Sequence, residues 1–370
     1  MDTDRTLLTS LAGAGFLSPC LSAAATLGLA DLLHEGPLSA EALAGRTDTR
    51  APILARLLRA LVAAGVFQET AGVFSNNAAS EVLRTDHPGS LRHFCILAGD
   101  EYQRAFGDVL HTLRTGEPAF RAAFGGSIYD HVDREPERGA VYDRAMEELA
   151  RPVVAALAEE ASLAGSELVV DVGGGRGTLL TALLEAHPGV RGLCCDRAAV
   201  CERAAADLRR SPPPHGDRLA FAAGDFFESV PAGGDVYVLK NVLHNWNRPS
   251  CLRILEVVRG AATRERDRRP PARLWIVEPL VEPGAPTPYV AMDDLFQAVV
   301  CEEGTGARSE EELHALLAEA SFEATASARL AGSHHLLEAV VASGGRPAST
   351  STSPPAARRP WSSPSGSSSG

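Results

Sequence analysis

Two periodicities divide the chain. In the first 95 residues apolar positions recur at helical spacing: Leu27, Leu29, Leu32 and Leu33 form one face, and residues 51–64 form a stronger helix ending near Gly65. Between them, residues 37–44 read as a turn, a Ser39 cap and a short helix. Residues 66–75 read as two short strands around a turn. Helices followed by a small β-wing predict a mainly helical winged-helix domain over residues 1–95. Residues 96–165 stay largely helical and connect the modules. From 166 to 342 the pattern becomes short continuous apolar runs, each ending in polar groups or glycines, which predicts an α/β domain. Residues 209–216, with a proline triplet, and the charged residues 264–271 read as exposed loops. From 343 to 370 the chain is rich in Ser, Pro, Gly and Ala with almost no apolar content, which predicts a disordered tail.

The junctions between apolar runs and polar groups hold the chemistry. Residues 168–172 run into Asp171 and then Gly173, Gly174, Gly175 and Gly177, followed by a helical stretch from Thr178. That is strand, tight turn, helix, and the glycines let backbone approach a ligand at the strand's carboxyl end. The spacing departs from the dinucleotide turn G-x-G-x-x-G, because Thr178 stands where its third glycine would be. A second acid, Asp196, follows the run 190–195; it is placed either to bond ribose hydroxyls or to cap a helix. Asp225 beside Phe226 and Phe227 reads either as an adenine-binding acid with an aromatic cover or as a turn before core phenylalanines. A fourth run, 235–239, leads into Lys240, Asn241, His244, Asn245 and Trp246.

Taken together, the pieces L-V-V-D-V-G-G-G-R-G, G-D-F-F-E-S-V-P, D-V-Y-V-L-K-N-V-L-H-N-W, L-W-I-V-E-P-L-V and R-S-E-E-E-L-H-A-L-L-A-E-A-S-F resemble the S-adenosylmethionine-dependent small-molecule O-methyltransferases of plant and actinobacterial natural-product pathways. The resemblance spans about residues 8–342, more loosely in the N-terminal half. It implies a Rossmann-like class I methyltransferase domain over 166–342 and a winged-helix dimerisation domain, hence a homodimer. It implies S-adenosylmethionine as cofactor, held by Asp171, Gly173, Gly175, Gly177, Asp196, Asp225, Phe226 and Lys240. Lys240 is the only lysine in a chain whose Lys and Arg total 35. It implies His244 as general base, with Glu278 bonding the imidazole. It also implies that residues 96–165 line the acceptor pocket, with Tyr129, Tyr142 and Met146 as lining residues. Asn245, Trp246, Met292 and Phe296 complete an apolar, aromatic-tolerant pocket suited to a small aromatic acceptor.

The chain departs from the family pattern twice. His-Asp-Trp is often found where this chain has His244-Asn245-Trp246, and a Glu-Arg-Thr triplet where it has Ala307-Arg308-Ser309. A second acid beside the base is therefore absent, and Glu302 and Glu303 are the acids nearby in sequence. A weaker base keeps other acceptors open: methylation of nitrogen or carbon, or a non-methylating relative that uses the cofactor as scaffold for hydroxylation, decarboxylation or pericyclic chemistry. A winged-helix regulator is the reading from a different class. Against it, residues 48–63 carry Arg50, Arg56 and Arg59 without a dense basic patch.

Composition narrows this further. A chain of 370 residues with a net charge of −12 disfavours nucleic acid and anionic membrane as partners. Seven cysteines with no C-x-x-C pair read as reduced thiols in a cytoplasmic protein. No acidic cluster suggests a metal site. The early apolar stretch, residues 7–33, follows an acidic start and reads as a buried helix rather than an export signal or membrane span.

Overall fold

The computed structural model describes residues 3–264, 270–281 and 287–342. The tail from 343 and residues 265–269 of the charged loop, both singled out in the sequence, lie outside the described residues. The chain forms two compact units. One runs up to Asp108 and takes in Ala140–Arg151; the other holds Val109–Gly139 and the chain from Pro152 onward. Residues 96–165, read as one connecting region, are thus divided between the two.

The first unit is helical with a small antiparallel sheet, order β1-β3-β2, made of β1 (Leu38–Ser39), β2 (Gln68–Thr70) and β3 (Val73–Ser75). Ser39 caps the helix Ala40–Thr47 by accepting the Ala42 N–H. Helix Ala51–Ala63 carries a proline in its first turn and buries Leu54, Leu58 and Leu61, one stripe at i, i+4 and i+7. These side chains meet Leu29, Leu43, Phe67 and Phe74 in the unit's core.

The N-terminal stretch corrects the sequence reading. It is not one buried helix: helix Thr3–Ala14 is exposed along nearly its whole length, with Leu7, Leu8, Leu11 and then Phe16 open to solvent. Burial begins only within helix Leu17–Thr26, at Ser22, Ala24 and Ala25. The segment Asp4–Thr26 is also long and apolar enough to cross a membrane by length and composition, contrary to the expectation that none is.

The second unit is built on a seven-stranded sheet. Its strands are β4 (Leu168–Val172), β5 (Arg191–Asp196), β6 (Leu219–Ala223), β7 (Val236–Lys240), β8 (Arg273–Pro279), β9 (Phe322–Arg329) and β10 (His334–Val341), in the order β6-β5-β4-β7-β8-β10-β9. The pairs from β6 to β8 are parallel, and β10 runs antiparallel to both its neighbours. Val169, Val170, Val172 and all of Val236–Leu239 are buried, as strands covered on both faces require. Helices Thr178–Ala186, Ala198–Arg210, Arg248–Thr263 and Glu310–Glu319 link or flank the strands. Helix Ala198–Arg210 includes Arg209 and Arg210, so the loop expected from 209 starts only at Ser211, the residue before the proline triplet.

Chain order reverses between β4 and β7. In open sheets of this kind the ligand crevice lies there, outside the carboxyl ends of the strands. Asp171, Asp196, Lys240 and Glu278 all stand at those ends.

Candidate active site

The glycine turn is shaped by what surrounds it. Gly173, Gly175 and Gly177 have φ of 73°, 61° and 76°, in the left-handed region that side chains rarely adopt. A Cβ on Gly174, at ordinary φ, would come within 2.5 Å of Asp171 Oδ2, so this glycine is required by close approach instead. A Cβ on Gly175 would meet nothing within 4 Å, so the turn's outer edge is open. The turn is tied to the next strand by the Gly175 N–H, which donates to Asp196 Oδ2 at 2.8 Å. Asp196 Oδ1 accepts the Arg197 N–H. Of the two roles open for Asp196, helix cap is ruled out by position: Arg197 is the N-cap residue of helix Ala198–Arg210.

Asp171 is 1 % exposed, and its Oδ2 has no hydrogen-bond partner among the described residues. Burial pushes its pKa up to about 7; Lys240 opposes the rise and Asp196 adds to it. Burial in turn lowers the Lys240 ammonium, against the attraction of Asp171 and Glu278. The acid is thus packed beneath the turn, under Gly174 and beside Cys194, while the open edge of the turn is at Gly175.

On the other side of the crevice, β7 ends in Lys240 and the chain turns through Asn241 into a short 3₁₀ segment, Leu243–Asn245. Glu278 Oε1 accepts the N–H groups of Val242 and Leu243, at 3.0 and 2.8 Å. Arg308 donates from the opposite side to the carbonyls of Leu243 and Trp246. His244 Nδ1 then faces Glu278 Oε2 at 3.4 Å, and among the described residues neither atom has a hydrogen-bond partner. Burial raises Glu278 to about 7. Burial also pushes His244 below its ordinary value, with Asp293 acting against this and Lys240 and Arg308 adding to it.

Asp293 was missed in the sequence. It stands on helix Pro288–Val300, one turn before the buried Gln297. Gln297 Oε1 accepts from Cys301 Sγ, which also reaches Asn245 Oδ1 at 3.3 Å. Residues 293, 297 and 301 follow the i, i+4, i+8 stripe of a helix, so one side of this segment faces the His244 turn. Glu302, raised as a replacement acid, is engaged elsewhere: its two oxygens accept the Asn247 N–H and the Ser250 hydroxyl, which fixes the start of helix Arg248–Thr263.

The aromatic residues form a cluster. Trp246 is buried, stacked on Tyr129 with centroids 5.6 Å apart and edge-on to Phe226 and Phe227. Arg197, also missed in the sequence, is buried over the Tyr129 ring at 5.3 Å and paired with Asp133, which anchors helix Ile128–Arg134 to the end of β5. Phe226 packs where a Cβ on Gly173 would point, and Asp225 Oδ1 accepts the Phe227 N–H. Phe296 is half-buried and Met292 is 56 % exposed on helix Pro288–Val300. Tyr142 and Met146 belong to the first unit, half-buried on helix Pro136–Glu160. Among the described residues no group of three or more His, Cys, Asp or Glu forms a metal-ligand cluster.

Comparison with known proteins places this arrangement among relatives. Residues 106–323 match the O-methyltransferase domain family and residues 9–86 the O-methyltransferase dimerisation domain family. The phenazine O-methyltransferase of Lysobacter antibioticus is 35% identical over 83% of this chain and 87% of its own length. The O-demethylpuromycin O-methyltransferase of Streptomyces alboniger is 37% identical over 83% of this chain and 81% of its own. Relatives named for N-methylation match as well. The solved structure of an O-methyltransferase from neocarzinostatin biosynthesis, in complex with S-adenosylmethionine and 2-hydroxy-5-methyl naphthoic acid, superposes with a TM-score of 0.73. It is 29% identical and covers 88% of this chain and 96% of that one.

Proposed function

The chain belongs to the S-adenosylmethionine-dependent O-methyltransferase family, and from that premise we propose that it methylates a hydroxyl of a small aromatic natural-product intermediate, with His244 as general base. The observation that supports this most is the facing of His244 and Glu278 at 3.4 Å, beside Lys240 at the end of the neighbouring strand.

The residues around the glycine turn suit the cofactor. Asp171, buried beneath the turn, is the counter-charge for its cationic end, and Gly173, Gly175 and Gly177 keep the backbone low beneath it. Asp196 is the acid for its ribose, and Asp225, Phe226 and Lys240 surround its adenosine. When bound, S-adenosylmethionine supplies a methyl group already activated by the sulfonium charge. The chain's task is then to align the acceptor, exclude water and remove a proton. A phenol titrates near 10, so a neutral imidazole nearby aids transfer by roughly 10²–10⁴-fold. His244, held neutral by burial, takes the proton at Nε2, and Glu278 Oε2 stabilises the imidazolium through Nδ1. Asp293 is the second acid that the Ala307 triplet lacks. Tyr129, Trp246, Phe296 and Met292 form the acceptor side within this unit, with Asn245 replacing a carboxylate by an amide. Tyr142 and Met146, expected from the resemblance to line the acceptor pocket, belong to the first unit. We further propose a homodimer formed by the N-terminal domain, in a reducing cytoplasm that keeps all seven cysteines free.

A second reading, N-methylation, is favoured by the depressed proton affinity of His244, because an amine or ring nitrogen acceptor does not need a base of full strength. Calorimetric titration with S-adenosylmethionine and S-adenosylhomocysteine, followed by a screen of phenols and aryl amines for gain of one methyl mass, tests both. Binding that is lost in Asp196→Ala, and phenol turnover that drops about 10²–10⁴-fold in His244→Ala at unchanged cofactor affinity, is the expected result. Unchanged phenol turnover in His244→Ala rejects the base assignment.

A further inference from the structure

His334 is a buried histidine at this end of the sheet, and neither the glycine turn nor the base explains it. It opens β10, in register with Pro279 at the end of β8. Its side chain reaches across the end of β8 to the residue after β7: His334 Nε2 lies 3.0 Å from Asn241 Oδ1. A carboxamide oxygen only accepts, so the ring nitrogen is the donor, and the imidazole must be the neutral Nε2–H tautomer or the cation. Burial pushes its pKa down to about 4, and Lys240, His244 and His335 add to this, which leaves the neutral Nε2–H form at working pH.

The partner of that bond is in an uncommon conformation. Asn241 has φ of 52°, left-handed for a residue that is not glycine. Its backbone is the joint between two parts of the site. Its N–H donates to the Val277 carbonyl of β8, continuing the sheet. Its carbonyl accepts the side-chain amide of Asn245 at 3.2 Å and favours the protonated form of His244. The left-handed step turns the chain from Lys240, in the strand, to His244, in the 3₁₀ segment. Asparagine tolerates that step better than other side chains, and a fixed side-chain bond selects it over the alternatives.

We propose that His334 is a positioning residue for methyl transfer, acting through Asn241 to hold the turn that presents His244 and Asn245 to the acceptor. This rests on the reading of His244 as base. The requirement is local: the bond joins a late strand to the site's central turn, so its loss loosens the base and leaves the Asp171–Gly177 cofactor turn in place.

The test is a set of single and double substitutions assayed by single-turnover kinetics and cofactor titration. His334→Ala should lower kcat at least tenfold, with cofactor affinity and acceptor KM within about twofold. His334→Gln, whose amide can donate to Asn241 Oδ1, should recover most of the loss. In an Asn241→Gly background, where glycine takes positive φ without help, adding His334→Ala should change kcat less than twofold, whatever the rate of that background. In a His244→Ala background it should likewise add little. Equal losses from His334→Ala in wild-type and Asn241→Gly backgrounds, or no rescue by glutamine, would overturn the proposal. A large loss in His244→Ala with none in His334→Ala rejects the positioning role alone. Full turnover in His244→Ala rejects the base reading beneath it. If His334→Ala does not fold, the His334→Gln variant and the Asn241→Gly/His334→Gln pair give the same comparison: the glutamine variant must retain most of the rate, and the pair must differ little from Asn241→Gly.

Discussion

Asp171 sits where burial opposes its charge and one cation supports it. With the carboxyl pushed up to about 7, the free protein holds it largely protonated below that pH and ionised above it. A cationic cofactor prefers the ionised form and pulls the pKa down as it binds. Affinity for S-adenosylmethionine should therefore rise with pH up to about 7 and then level, and binding near pH 6.5 should release a proton. Calorimetry in buffers of different ionisation enthalpy reads that proton directly. Asp171→Asn should abolish both the release and the slope; a pH-independent affinity in the native protein would count against Asp171 as the cofactor's counter-charge. At this scale the sequence is informative where a residue stands inside a motif, as Asp171, Asp196, Lys240, His244 and Glu278 do. It assigns no role to Asp293, Arg197, Asn241 or His334. Each of these meets a partner far away in the chain, Asp293 with His244, Arg197 with Tyr129 and His334 with Asn241, and no local spacing announces such a partner.

Among the elements, the step from β4 into helix Thr178–Ala186 is tightly constrained. Gly177 is the residue before the helix, at φ of 76°, and a Cβ there would lie 3.2 Å from the Phe221 ring of β6. Gly177→Ala combines a left-handed backbone for a residue with a side chain and a tight contact. It should cost about 1–2 kcal/mol from the backbone alone. Urea unfolding should show a lower midpoint at unchanged slope, and cofactor affinity should fall with it. Gly175→Ala provides the contrast: its φ is also left-handed, but the space beside it is open, so the packing part of the loss should be absent. The strand-turn-helix order was readable because a buried strand, a glycine cluster and an apolar helix have different periods. Helix Thr3–Ala14 departs from the expected burial because apolar periodicity tells that a face wants burial and not what covers it.

For the whole molecule, the exposed apolar residues Leu7, Leu8 and Leu11 lie beside or within a segment that matches a dimerisation domain. Such a face is expected to be covered in an assembly. The double substitution Leu8→Asp/Leu11→Asp should convert the protein to a monomer in sedimentation velocity while cofactor affinity stays unchanged, since none of the proposed cofactor residues lies in that segment. A native protein that sediments as a monomer at micromolar concentration would remove the dimer proposal.

The sequence by itself determined the kinds of element, their order, the glycine turn and the acids and histidine that end the strands, because these follow from chain-local periodicity and from residue types that few other roles tolerate. It also determined the family, through the order of several motifs. Only the tertiary structure decided which polar groups meet. The antiparallel strand β10 brings His334 to Asn241, helix Pro288–Val300 brings Asp293 toward His244, and Ser250 with Asn247 draws Glu302 away. Those pairings depend on strand order and helix orientation, which are set by packing of the whole sheet, and that information is spread over the entire chain and not over any window of it.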